Sequence, residues 1–181
     1  MIKSAIEKVM CEDLADIWSI LNGDEKRRII DKFQIQTFRK NQIIYAEGDE
    51  PEYLWCLLKG KAKLCKDGIG GRQQILRLIR PVQYFGYRAF FAEEPYVSTA
   101  MAMEPSELGA VPMSLVTELI DGNIKLARFF IHELSRNLGR SDTKIVNLTQ
   151  KHIRGRLAEA LMVLRDNYGF EEDGCTLRIY M

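Results

Sequence analysis

The groups able to do chemistry in this chain are few and scattered. Its two histidines, His132 and His152, both fall in a stretch with helical periodicity. A facial metal triad needs two histidines and a carboxylate converging from strands, so that geometry is out of reach. The four cysteines, Cys11, Cys56, Cys65 and Cys175, contain no Cys-x-x-Cys pair. An iron–sulfur cluster or a structural zinc site needs closely spaced thiolates, and neither is expected. Cys56 reads as a small core residue in mid-strand, and Cys65 as a strand-end thiol with a weak redox indication. The sequence has no nucleophile elbow, phosphate-cradling glycine loop or zinc-ligand spacing, which argues against an enzyme. Its one dense run is Phe85-Gly86-Tyr87-Arg88-Ala89-Phe90-Phe91, followed by Tyr96 and Ser98. Rings gathered around one cation suit a flat apolar ligand, or else simply fill a core.

The chain that must position these residues has 181 residues, 46% hydrophobic and 28% charged, with a formal net charge of +1. That length allows one well-packed domain and an appendage. A near-neutral balance supplies no strong field for phosphates, so this chain alone is not expected to hold nucleic acid tightly. No apolar run approaches a membrane span. The first ten residues mix Lys3, Glu7 and Lys8 among apolar positions, unlike a secretory signal. A cytoplasmic protein with reduced thiols is the economical expectation.

The elements follow from turn signals and periodicity. Asn22 with Glu25 three residues on forms a capping-box pattern that opens a short helix to about Phe33. From Gln34 to Pro112 come short apolar runs: Ile35–Phe38, Gln42–Tyr45, Tyr53–Leu58, Ala62–Cys65, Gln73–Ile79, Tyr96–Met103 and Leu108–Val111. Separated by Gly48-Asp49, Lys59-Gly60-Lys61 and Asp67-Gly68, they predict a small antiparallel barrel or sandwich. A short helix over Met113–Ile120 ends at Asp121-Gly122-Asn123, and a long helix runs from about Ile124 toward His152. Along it Ala127, Ile131, Leu134, Leu138, Ser141, Ile145 and Leu148 alternate steps of four and three. So narrow a seam suits pairing with an identical helix, and Gly139 and Ser141 would allow close approach. A second amphipathic helix reaches Tyr168, and Thr176–Tyr180 reads as a strand.

Three segments in order carry a family resemblance. Glu47-Gly48-Asp49 and Tyr53 through Leu64 resemble the first hairpins of the cyclic-nucleotide-binding β-roll. Phe85 through Thr99 has the frame of that family's phosphate-binding cassette. Leu138 to Ala158, with Lys144-Ile145-Val146-Asn147-Leu148 and Gly155-Arg156-Leu157-Ala158, resembles the dimer helix and hinge of the cyclic AMP receptor. The chain is thus similar to the sensor half of the cyclic AMP receptor and fumarate-nitrate regulator (CRP/FNR) family of bacterial transcription regulators. The resemblance implies an α+β fold: an antiparallel β-roll with flanking short helices and a long C-terminal dimerisation helix. It implies an effector-sensing domain over 1–123, a dimer helix over 124–152, and from 153–181 a hinge with the start of a DNA-binding domain. Family members continue into a helix-turn-helix, absent from this sequence, through which a homodimer would read DNA.

In cyclic-nucleotide binders the cassette supplies a glutamate after Phe-Gly for the ribose and an arginine after Pro for the phosphate. Here Tyr87 and Tyr96 stand in those places. Without the arginine the phosphate loses its charge-assisted grip, so cyclic AMP is not expected to bind. The effector pocket is expected to comprise Phe85, Gly86, Tyr87, Arg88, Tyr96 and Ser98. Ser141 and Asp142 join them from the dimer-helix positions that face the nucleotide base in the cyclic AMP receptor. Ile131, Leu134, Leu138, Ile145 and Leu148 are expected at the dimer interface. The family includes haem-dependent gas sensors, among them nitrosative-stress regulators. The aromatic cassette is compatible with haem reporting a gas such as nitric oxide, with His132 and His152 as candidate axial ligands. The other reading is a ligand-free dimerisation module, or a sensor of another small metabolite.

Overall fold

The computed structural model of the chain describes residues 15–178, so Cys11 and the end of the predicted Thr176–Tyr180 strand lie outside the described residues. Two short helices come first, α1 (Ala15–Trp18) and α2 (Gly23–Lys32). Eight strands follow: β1 (Gln34–Phe38), β2 (Ile43–Tyr45), β3 (Tyr53–Lys59), β4 (Ala62–Asp67), β5 (Gln73–Ile79), β6 (Gln83–Phe85), β7 (Thr99–Ala102) and β8 (Ser106–Pro112). A five-residue helix α3 (Tyr87–Phe91) lies between β6 and β7. Helices α4 (Met113–Gly122), α5 (Ile124–Gln150) and α6 (Ile153–Tyr168) complete the order.

The strands form two antiparallel four-stranded sheets, ordered β1-β8-β3-β6 and β2-β7-β4-β5. This is the expected β-roll. Strand β6, only three residues long, escaped the sequence reading because period-2 alternation needs more residues to register. Alternation along β3 and β8 turns Trp55, Leu57, Leu108 and Ala110 into the roll. The intervening Leu54, Cys56 and Val111 are buried on the other face, where helices cover the sheet. The tip of the Phe33 ring presses on Gly109, where any Cβ would sit 2.3 Å from it. Only glycine admits that approach.

The helix α2 starts on the capping box that its sequence announced. Asn22 Oδ1 accepts from the Asp24 and Glu25 backbone amides, and Glu25 accepts in return from the Asn22 amide at 2.7 Å. The same Glu25 carboxylate accepts from Asn123 Nδ2 at 3.0 Å, while Asn123 Oδ1 caps the amides of Lys125 and Leu126. One buried carboxylate thus ties the first turn of α2 to the first turn of α5. The expected break at Asp121-Gly122-Asn123 narrows to Asn123 alone, because α4 continues through Gly122.

The chain divides into two compact units, one ending at Phe130 and the other beginning at Ile131. The division falls inside α5 because Leu126 and Phe130 are buried in the first unit, at 2% and 3% exposure. Within the second unit, Glu159 of α6 accepts from Asn147 and pairs with Lys151, closing the hinge at Lys151-His152. Beyond α6, among the described residues, the predicted strand shows a bridge between Leu177 and Phe170. No helix among the described residues is long and apolar enough to cross a membrane. Asn22→Ala should lower stability by about 1 kcal/mol through loss of the cap. Thermal denaturation of the variant checks this.

Candidate functional site: a closed aromatic cassette

The cassette begins where β6 ends. Gly86 has φ 90°, and a Cβ there would meet the Trp55 ring at 2.9 Å and the Tyr53 carbonyl at 3.0 Å. Glycine is therefore required both by conformation and by space. Phe85 before it points into the roll core at 2% exposure. Helix α3 then carries Tyr87 and Arg88, and the chain returns through Pro95 and Tyr96 into β7.

Tyr96 is fixed by its backbone. Its amide donates to Asp49 O at 2.9 Å, and its carbonyl accepts from the Gly48 amide at 2.8 Å. Held against the β2–β3 turn, its ring stacks on Tyr45 with centroids 3.6 Å apart and planes 12° from parallel. Phe85 completes the cluster, its ring 6.1 Å from that of Tyr45. The Tyr96 hydroxyl reaches the Gly86 turn, where it makes no well-formed hydrogen bond among the described residues. Burial pushes its phenol up to about 12, against an opposing pull from the Trp55 indole beside it. Burial likewise drives Tyr45 well above the usual tyrosine range, reinforced by Tyr96 and relieved in part by Arg77 and Arg88. Both phenols stay neutral at ordinary pH.

The remaining expected pocket residues part company. Tyr87, buried at 2%, packs its ring on Phe91 and Phe130, with centroids 6.3 and 5.4 Å away. Phe90 and Phe129 extend that second cluster. The two tyrosines that replace the cassette's polar residues thus fall in different aromatic groups. Arg88 is half-exposed and pairs with Glu94 at 2.7 Å. Ser98 is buried. Ser141 and Asp142 lie in the second unit, exposed on α5, and the Ser141 hydroxyl donates to its own helix at Asn137 O, 3.0 Å away. His132 is 69% exposed, and His152 is the exposed N-cap of α6. Among the described residues no three His, Cys, Asp or Glu side chains group to hold a metal ion.

Two residues went unread in the sequence. Tyr45 ends a three-residue strand, too short to reveal which face its side chain takes, and Trp55 was counted only within an apolar run. Cys65 is not a strand end. Strand β4 continues to Asp67, and the Cys65 thiol is fully buried with Sγ 3.5 Å from Thr99 O. Burial raises its pKa, which makes it a poor redox group. Cys56 is the expected buried core residue.

The raised phenol gives a pH signature. In the folded state Tyr96 holds its proton up to about 12, while an unfolded tyrosine releases it around 10. Stability contributed by the neutral phenol is complete below pH 10 and is lost as pH rises through that window. Tyr96→Phe should be near neutral at pH 7 and should flatten the loss between pH 9 and 11, read by urea melts at both values.

Comparison with known proteins agrees with the fold. Residues 35–123 match the family model for the cyclic nucleotide-binding domain. A CRP-like cAMP-activated global transcriptional regulator of Mycobacterium tuberculosis is 23% identical over 137 residues, covering 76% of this chain and 61% of its own length. The chain thus spans about three fifths of that relative. The structure of FixK2 from Bradyrhizobium japonicum superposes with a TM-score of 0.69 at 21% identity, covering 74% of this chain and 66% of that one. The sensor domain of the transcriptional regulator DNR from Pseudomonas aeruginosa gives 0.66 at 19% identity, covering 78% of this chain and 93% of that one. Residues 35–123 thus match the cyclic nucleotide-binding domain family, and relatives of the chain include regulators of the CRP/FNR type and a cGMP-dependent protein kinase of Toxoplasma gondii.

Proposed function

We propose that the chain is the effector-sensing and dimerisation region of a DNA-binding transcription regulator whose effector is not a cyclic nucleotide. The observation that carries the second half is Tyr96. Its ring occupies the cassette position of the phosphate-binding arginine and is stacked into the roll core on Tyr45. A cyclic phosphate entering there would have to break the stack and shed its water without a charged partner. Arg88, the nearest cation in sequence, is engaged by Glu94. Millimolar cyclic AMP should leave the melting temperature unchanged, since a ligand specific for the folded state must raise it by mass action. A clear upward shift would overturn the reading.

Dimerisation is supported by the side chains left uncovered on α5. Ile131, Leu138 and Ile145 recur every seven residues at 62%, 64% and 59% exposure, with Leu134 half-buried between them. Apolar residues in such register gain about 25 cal/mol per Å² when a second helix covers them. Leu138→Asp should yield a monomer at micromolar concentration in sedimentation velocity, and a surviving dimer would refute the seam. DNA reading belongs to this proposal for the whole protein, of which the chain spans part.

A second reading keeps haem, carrying a gas such as nitric oxide, as the effector, and the abundance of rings around the cassette favours it. As they stand, the residues do not form a haem slot. The Tyr45–Tyr96 faces are already in contact, and His132 and His152 are exposed in the second unit. Haem would have to displace Tyr96. Titration with haemin decides the matter: a saturable Soret band with one site per chain supports this reading, and a linear rise removes it.

A further inference from the structure

The whole-chain charge of +1 conceals a sharp segregation. Between residues 124 and 156 stand eight Lys and Arg against two acids, a net of +6, which leaves −5 for everything else. On α5 the cations recur four apart, at Arg136, Arg140 and Lys144, a ridge that climbs about 6 Å per step. At about 100° per residue, Arg136 and Arg140 point roughly opposite to Ile131, Leu138 and Ile145. Pairing through the apolar seam would therefore leave the ridge of each copy facing outward and double its charge.

Among the described residues, acids meet part of it. Arg136 pairs with Glu133 and Lys151 with Glu159. Arg128, Arg140, Arg154 and Arg156 are exposed and make no ion pair among the described residues. Arg154 and Arg156 also stand in the first turn of α6, which holds no acidic residue. There the helix dipole opposes a cation, so their placement works against the helix. An anion at that end would relieve both charges.

We propose that this cationic face, running along α5 to the first turn of α6, is a sequence-independent contact surface for the phosphate backbone of duplex DNA. It needs no recognition helix, because phosphate contacts position a protein without reading bases. Once the seam is paired, the residues beside Arg136, Arg140 and Lys144 on the outward side are Glu133, Gly139, Thr143 and Asn147, which give no apolar edge by which a basic helix enters a lipid surface. The choice of duplex DNA over another polyanion rests on the reading of the chain as part of a DNA regulator.

The test is fluorescence anisotropy of this chain with two unrelated duplexes of about 30 base pairs, from 25 to 200 mM salt. Micromolar, sequence-indifferent binding is expected at low salt, with log K falling linearly against log salt by about 0.9 per phosphate contact. Arg136→Gln with Arg140→Gln should weaken binding about tenfold and make the slope shallower by about two. Arg154→Gln with Arg156→Gln should do the same. Both pairs lie off the seam, so sedimentation should still report a dimer, and this separates failure of the surface from failure of the dimer. The proposal is overturned if 25 mM salt gives no binding, if neither pair changes affinity or slope, or if vesicles with 30% phosphatidylserine bind more tightly than DNA.

Discussion

Between the two sheets of the roll the walls are thin. Ala62, Ala100 and Ala102 on one sheet and Ala110 on the other are fully buried, and side chains so small leave room between the sheets. Protein interiors do not tolerate such a void, and here rings fill it. Tyr45, Trp55, Phe85 and Tyr96 occupy the space, and much of the cassette geometry is fixed by that demand. Gly86 is glycine because Trp55 and the Tyr53 carbonyl press on the place where a Cβ would stand. The Tyr96 backbone is clamped to the turn at Gly48 and Asp49, which fixes the point from which its ring reaches Tyr45.

The identity of the filler has electrostatic consequences. Phenols in that position are neutral, bulky and self-complementary, and they offer an anion nothing of the kind that a guanidinium offers. The cations of the neighbourhood lie at the edge, with Arg88 held by Glu94 in solvent. A roll of this family's shape has become a packed core at the point where chemistry would be sought.

Helix α5 shows the same packing rule with two outcomes. Leu126 and Phe130 are covered by the first unit, although Ile124 at the helix start stays exposed. Ile131, Leu138 and Ile145 then lie open, while cations gather on the other side. One helix thus passes from core element to presenting surface, with an apolar face and a charged face that ask for different partners.

The sequence alone determined the elements whose signals are local. The Asn22–Glu25 cap, the turns between strands and the long helix with its apolar seam could all be read from spacing, because each depends on neighbours within a few positions. The same signals predict an antiparallel barrel or sandwich, while the β-roll and the cassette places of Tyr87 and Tyr96 came from the resemblance of ordered segments to a family. Tertiary structure decided which side chains meet. That Tyr96 stacks on Tyr45, fifty-one positions away, depends on how two sheets close, and no period in the sequence encodes it. Tyr87 turned to Phe91 and Phe130 instead, because the first turn of a five-residue helix faces a different wall from the loop that follows it. Tertiary structure also placed Cys65 in a sealed strand, and let one carboxylate, Glu25, join two helix starts ninety-eight residues apart. Contacts between distant segments are set by the global packing of apolar volume, which a linear pattern constrains only in composition.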